Sequence, residues 1–376
     1  MSKSGSGAPT RREFMKSAAV VSAATLAAPA IATAKKTESQ MIIGEGDFQY
    51  EVHDQWPQLP SEFSWQTTHN VAVDSEGFLY VIQEGRLEQS DHPAIFVFDQ
   101  DGKYVRSFGS QFQGGGHGLD IRQENGQDFL YVCAYQQQRS HAKLDTKGEQ
   151  VWRKGAPMEC DVYAEGEDDY PREKDDNPWG RDRFCPTNVA FLPNGDFFLI
   201  DGYGAYRIHR YDRDGKWLSM FGEPGSDEND RAGGKFKLPH GIWIDNRGEE
   251  PLVVVADREF DRLQWFTIDG EHRRTQDGFL WPANLDVYED LLLVPELFAR
   301  VSLLDGDNRV VAQLGVDTDR IVQDNKDTGG YSIRATESKW QLGKFIHPHD
   351  ACFDKDGNIF VAEWVARGRV TKLSRV

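Results

Sequence analysis

From residue 65 onward, apolar and polar residues alternate in short runs broken by turns rich in Asp, Asn and Gly. Period-two alternation marks half-buried strands, and Asp-Gly or Asn-Gly between two such runs marks a hairpin. The runs recur as copies of one pattern: a small polar motif, a strand, a turn and a second apolar strand. HNVAVDSEGFLYVI from His69, TNVAFLPNGDFFLIDGY from Thr187, HGIWIDNRGEEPLVVVADRE from His240 and HDACFDKDGNIFVAEW from His349 are the clearest copies. HGLDIRQENGQDFLYVCAY from His117 and ANLDVYEDLLLVPE from Ala283 are looser. Several copies run on into third and fourth strands, as in IFVFDQDGKYVRSFG and HRYDRDGKWLSMFG.

The copies start 48, 70, 53, 43 and 66 residues apart. A period of about 40–50 residues with four short strands per unit predicts a β-propeller, and six copies predict six blades. The fold expected is therefore all-β, with the propeller over residues 61–376, a lead-in segment at 35–60, and no helix of useful length after residue 34. Two insertions stretch the long intervals. Asp161–Asp176 holds eight acids and two bases in sixteen residues, and a second insertion lies near Asp317–Lys339. Both read as solvated loops, with a lid over one mouth of the channel as the alternative.

Residues 1–34 differ from the rest. Thr10-Arg11-Arg12-Glu13-Phe14-Met15-Lys16 precedes an Ala-rich apolar run, and Ala30, Ala32 and Ala34 offer cleavage sites. This is the pattern of a twin-arginine export signal, which predicts the export machinery as a partner and a periplasmic or otherwise exported mature protein. The apolar run falls short of the roughly 20 residues of a bilayer span, so no stable membrane span is expected after cleavage. The 44 aromatics (22 Phe, 12 Tyr, 10 Trp) and 39% hydrophobic residues suffice for a packed core and exclude a disordered chain. A net charge of −18 argues against nucleic acid as a partner, and four cysteines are too few for a disulfide scaffold.

In a propeller the first strand of every blade lines the channel, so equivalent positions form a ring. Aligned at the turn into that strand, the copies place His69, His117, Thr187, His240, Ala283 and His349 in one column. Only ten His occur in the chain, and four of them fall here. His117, His240 and His349 belong to alternate blades, about 120° apart in a six-fold ring, so their imidazoles are expected to meet on the axis as a tripod. Three neutral imidazoles with an open fourth position suit zinc acting as a Lewis acid. The alternative is a hydrogen-bonded structural ring. His69 breaks the three-fold pattern and is assigned to the substrate side, with ligation left open. His347, two residues before His349, is expected either to point elsewhere along an extended strand or to lie at the channel mouth.

The body, over most of residues 65–373, resembles the peptidyl-α-hydroxyglycine α-amidating lyases, which are propellers of the NHL type. The resemblance rests on LPHGIWID at 238–245 with VADREFDRLQWF at 255–266, on FCPTNVAF at 184–191 with DGYGAYRI at 201–208, and on HPHDACFD at 347–354. It implies zinc on His117, His240 and His349. It also implies Tyr203 of the DGY motif as the proton-transfer group, and Arg258 of VADR as partner of the substrate carboxylate. A further family arginine most nearly matches Arg86, with a one-residue slip left open. A structural calcium is implied at the carbonyls of Val71 and Leu119 and at Asp350. The implied reaction splits an α-hydroxyglycine carbinolamide, a peptide or smaller, into an amide and glyoxylate.

Plainer readings stand beside these. Tyr203 could cap its turn, Arg258 could pair with Asp257 or Glu259, and Asp350 could brace a blade turn. The chain also departs from the family. Gly204 follows the DGY tyrosine where the family has a cysteine paired to the equivalent of Cys185, which leaves Cys160 as the remaining candidate partner. His347 stands where the family usually has methionine, which changes the substrate pocket or even the metal shell, and His347 is placed among the substrate-binding residues. No copper monooxygenase unit is recognised, so the substrate is expected to come from another enzyme. Two other functions compete: a calcium-dependent, lactonase-like propeller hydrolase, and a non-catalytic exported NHL propeller binding protein or carbohydrate.

Overall fold

The computed structural model describes residues 41–376 apart from 171–173, 228, 330 and 331. Six antiparallel sheets succeed one another along the chain, the blades of a propeller. Blades 1 to 5 are four-stranded and span residues 68–108, 116–154, 188–221, 239–277 and 286–314. Blade 6 takes three strands from Pro348–Arg375 and its outer strands from the other end of the chain. There Tyr50–His53 pairs with Arg369–Arg375, Tyr50 opposite Arg375, and Ile42–Ile43 adds outside it. This closes the ring, so part of the segment read as a lead-in is structural.

The turn chemistry explains why the repeats were visible. Between the third and fourth strands of blade 1, one carboxylate oxygen of Asp99 accepts the N–H groups of both Asp101 and Lys103. Asp145, Asp212 and Asp305 do the same in blades 2, 3 and 5. The turn needs a positive φ, supplied by Gly102 at +77° and Gly215 at +74°, and in blade 5 by Asn308 at +63°. Between blades, apolar side chains of neighbouring sheets interdigitate. Val97 and Ile82 meet Leu130 and Val132 between blades 1 and 2, and Leu293 and Leu303 meet Val361 and Ile359 between blades 5 and 6.

One expectation is overturned. The second insertion carries an α-helix, Thr318–Thr328, closed by Gly329 at φ +69°. Its single buried apolar residue, Ile321, packs with Ala299, Ile346 and Val365. One apolar contact in eleven residues leaves almost no helical period to read. The twin-arginine segment lies outside the described residues. Among the described residues, no helix is long and apolar enough to cross a membrane.

Candidate metal centre and cavity

Each of the four column histidines sits at a break in strand register. In blade 1 Thr68 faces Gln83 and Asn70 faces Ile82, leaving His69 as the extra residue. The same irregularity falls at His240, between Pro239 and Gly241, and at His349, between Pro348 and Asp350. In blade 2 it spans Gly116 to Leu119 and takes in His117. A bulge re-aims the side chain it carries. Blade 5 shows the same one-residue shift, between the Pro282–Glu296 bridge and Asp286 opposite Leu293, but carries Ala283 in the column, while the blade 3 ladder begins at Asn188, just past Thr187.

The bulges bring the imidazoles together. Ring centroids of His117, His240 and His349 form a near-equilateral triangle with sides of 4.7, 4.7 and 4.9 Å. His69 lies over one edge, 4.8 Å from His117 and 4.6 Å from His349. All four rings are buried. Nitrogens of His69, His117 and His349 lie within 4.8 Å of one another, a trio that includes His69 rather than His240. One pair of the tripod expected from the sequence is closer still, with His117 Nε2 and His240 Nε2 3.1 Å apart.

Hydrogen bonds fix the tautomers of the tripod. His117 Nδ1 lies 2.9 Å from the Thr187 carbonyl, His240 Nδ1 2.6 Å from that of Ala283, and His349 Nδ1 2.7 Å from that of His69. A carbonyl only accepts, so each Nδ1 carries the proton and each Nε2 keeps its lone pair. The 3.1 Å approach of His117 and His240 therefore sets two lone pairs against each other. Burial holds all three imidazoles well below their usual pKa, with neighbouring imidazoles and Arg258 adding to the effect, so a shared proton is disfavoured. A tetrahedral ion bound at 2.0–2.1 Å would hold its nitrogens roughly 3.3 Å apart, so the residues fit a zinc-type cation.

Beside the tripod lies a cavity of about 430 Å³. Its wall is a second ring, built from the residue that follows the second strand of each blade: Glu84, Tyr135, Arg258, Leu297 and Trp364, with Tyr203 one position later in blade 3. The sequence reading found two of these six. The other four stood in plain register behind the histidine column.

Tyr203 Oη is 3.1 Å from His240 Nε2, to which it donates, and accepts from Arg258 Nη1 at 3.1 Å. Burial raises the Tyr203 pKa and the guanidinium opposes it. Arg258 is 4% exposed, and its Nε and Nη2 have no protein partner. The ion pairs once conceivable for it are taken, Asp257 by Arg262 at 2.7 Å and Glu259 by Lys237 at 3.5 Å. Across the cavity, Glu84 Oε1 accepts from Tyr135 Oη and Gln136 Nε2, while Oε2 stands 3.5 Å from His69 Nε2. Burial pushes the Glu84 carboxyl up, but these partners, His69 first, outweigh it and bring it to about 2.

Other assignments fare differently. Arg86 is exposed, lies outside the cavity wall and presents its backbone N–H to Gln113, so the structure does not bring it to the site. The chain turns away there, two residues past Glu84. His347 lines the cavity, held by Leu297 O at 2.7 Å and lying against Trp364. Of the insertions, the acidic one lies just before Trp179, a cavity-lining residue, and the helix gives Asn325. Cys160 and Cys185 are both free thiols. Val71, Leu119 and Asp350 line a second cavity of about 160 Å³, one step further along the inner strands, together with Asp120 and Asp286. Asp350 accepts from Val71 N and Asn284 Nδ2, and burial raises Asp286 and Asp350 to about 7.

No family model matches the chain. Over 198 residues, 48% of this chain, it is 29% identical to peptidyl-alpha-hydroxyglycine alpha-amidating lyase 1 of Drosophila melanogaster. Over 193 residues it is 30% identical to peptidyl-glycine alpha-amidating monooxygenase B of Xenopus laevis. The matches span 34% and 19% of those relatives' own lengths. Among solved structures, a streptogramin B lyase superposes with a TM-score of 0.52 at 12% identity, covering 88% of this chain and 99% of that one. A gluconolactonase from Xanthomonas campestris gives 0.53 at 12% identity, covering 86% and 89%. The solved structures share the propeller fold; the sequence relatives are amidating lyases and the monooxygenases that bear that name.

Proposed function

We propose that this protein is a zinc-dependent lyase of the peptidylamidoglycolate lyase type, splitting an α-hydroxyglycine carbinolamide into an amide and glyoxylate. The observation that carries this reading is the contiguity of the tripod, Tyr203 and Arg258, each within 3.1 Å of the next. His117, His240 and His349 would hold the ion. A divalent cation there supplies positive charge that acidifies the substrate hydroxyl and the Tyr203 phenol alike.

The chain's own groups do the rest. Arg258 offers two unpartnered N–H groups as a fork for the substrate carboxylate. Tyr203, as the phenolate, takes the hydroxyl proton and returns it to the departing nitrogen as the C–N bond breaks. Atoms then balance with no water consumed and no electron exchanged. Leu297, Trp364 and Trp281 give the cavity an apolar wall that keeps water from these groups. Calcium in the second cavity, on Asp350 with the Val71 and Leu119 carbonyls, is proposed as a structural ion. Export by the twin-arginine route is part of the same reading.

The test is glyoxylate release from an N-benzoyl-α-hydroxyglycine by untagged protein loaded with zinc. Release that is abolished by a chelator and by His240→Ala supports the reading. A zinc-loaded protein that releases none refutes the substrate assignment.

A further inference from the structure

His69 is the one column histidine whose place the tripod does not explain. It stands on the same kind of bulge as the other three. It is 1% exposed, and neither ring nitrogen has a hydrogen-bond partner. A buried imidazole whose Nδ1 is unmet and whose Nε2 faces only the Glu84 carboxylate at 3.5 Å costs free energy unless something is bound there. Nitrogens of His69, His117 and His349 already lie within 4.8 Å of one another. Beyond it stands Glu84 Oε2, 3.5 Å from His69 Nε2, on a carboxylate whose other oxygen is fixed by Tyr135 and Gln136. A carboxylate behind an imidazole is a recurrent way to orient a metal ligand.

We propose that His69 is a fourth imidazole ligand of this centre, oriented by Glu84, so that the ion is held by four histidines and keeps its substrate position by taking five or more ligands. The proposal rests on the metal-centre reading above. It changes the metal chemistry expected here, because ions that readily accept more than four ligands would suit the site better than one confined to a tetrahedron.

The experiment is titration of the metal-free, untagged protein with Co²⁺, reading the visible absorption bands and the affinity by competition with a chelator. The wild type should bind one equivalent with the weak bands of a five- or six-coordinate ion. His69→Ala should bind at least tenfold more weakly and show the intense bands of a four-coordinate ion. Glu84→Gln, which leaves the ring of imidazoles intact, should shift the bands in the same direction with a smaller loss, and carries the test should His69→Ala not fold. Bands and affinity unchanged in His69→Ala overturn the proposal while the tripod stands. Bands altered by His69→Ala but not by Glu84→Gln overturn the role of Glu84. A wild type that takes up no Co²⁺ overturns the metal centre and this proposal together.

Discussion

Replacing Arg258 by Met should make the metal-free protein more stable while removing most of its activity. The guanidinium is 4% exposed, with one 3.1 Å bond to Tyr203 and two nitrogens that no protein group meets. Each buried donor left unmet costs roughly 1–3 kcal/mol, against about 1 kcal/mol returned by the bond to Tyr203. A Met of similar length fills the space without those costs, for a net gain of about 1–5 kcal/mol. For a chain of this length that is a rise of about 1–7 °C in Tm. Losing the fork for a substrate carboxylate should cost about 2–5 kcal/mol, or roughly 30- to 5000-fold in kcat/KM. Arg258→Lys keeps the charge without the fork and should fall between. Scanning calorimetry of the metal-free protein and glyoxylate kinetics read the two effects. A Met variant that melts below the wild type would show that the guanidinium is satisfied in the resting protein, and the receptor argument would fail with it.

Tyr203→Phe should lower kcat by about 10²- to 10⁴-fold with KM moved only slightly, the range for a lost proton-transfer group; a loss seated in KM instead would make Tyr203 a binding residue. Gly118→Ala places a Cβ 2.0 Å from the Thr187 carbonyl, the group that fixes His117. Chelator competition should show metal affinity reduced about 10- to 100-fold, and unchanged affinity would remove that carbonyl from the centre. His141, remote from the tripod, is buried against Trp152 and Tyr211 with neither nitrogen partnered, and burial depresses it to about 3. The unfolded chain takes this proton near pH 6.5 and the folded chain only near 3, so its stabilising share is whole above 6.5 and shrinks on acidification, at about 1.4 kcal/mol per pH unit. His141→Leu should flatten the acid limb of Tm against pH, and an unchanged slope would assign that limb to other groups.

The blades and the histidine column were legible because the turn residues repeat: an Asp that accepts two N–H groups and a following Gly or Asn keep the copies in phase. The second ring was equally in phase, yet only Tyr203 and Arg258 were drawn from it. Glu84, Tyr135, Leu297 and Trp364 share no residue type, so position marks them where chemistry does not. Arg86 came from the family resemblance, as the nearest match to a family arginine, and stands two residues beyond the position that faces the cavity. Strand closure by Tyr50–His53 depends on pairing with residues over 300 positions away, which no local pattern encodes. The helix at Thr318–Thr328 escaped for the opposite reason, since it buries a single residue and carries little pattern at all.

The blades without a column histidine contribute through their backbones. Thr187 and Ala283 each present a carbonyl to the imidazole of the blade before, and blade 1 does so through His69 O. A carbonyl acceptor requires no particular side chain, which is why Thr and Ala suffice there. The three-fold alternation thus divides labour around the ring: even blades supply nitrogen lone pairs and odd blades supply the acceptors that aim them. Blade 1 does both, with a carbonyl for His349 and an imidazole of its own. A residue needed only for its carbonyl would not have to be histidine, as Thr187 and Ala283 show, yet the ring at position 69 lies against two others. The side chain at position 69 therefore answers a demand that the backbone at that position does not, and the convergence of the rings supports the proposal of a further ligand.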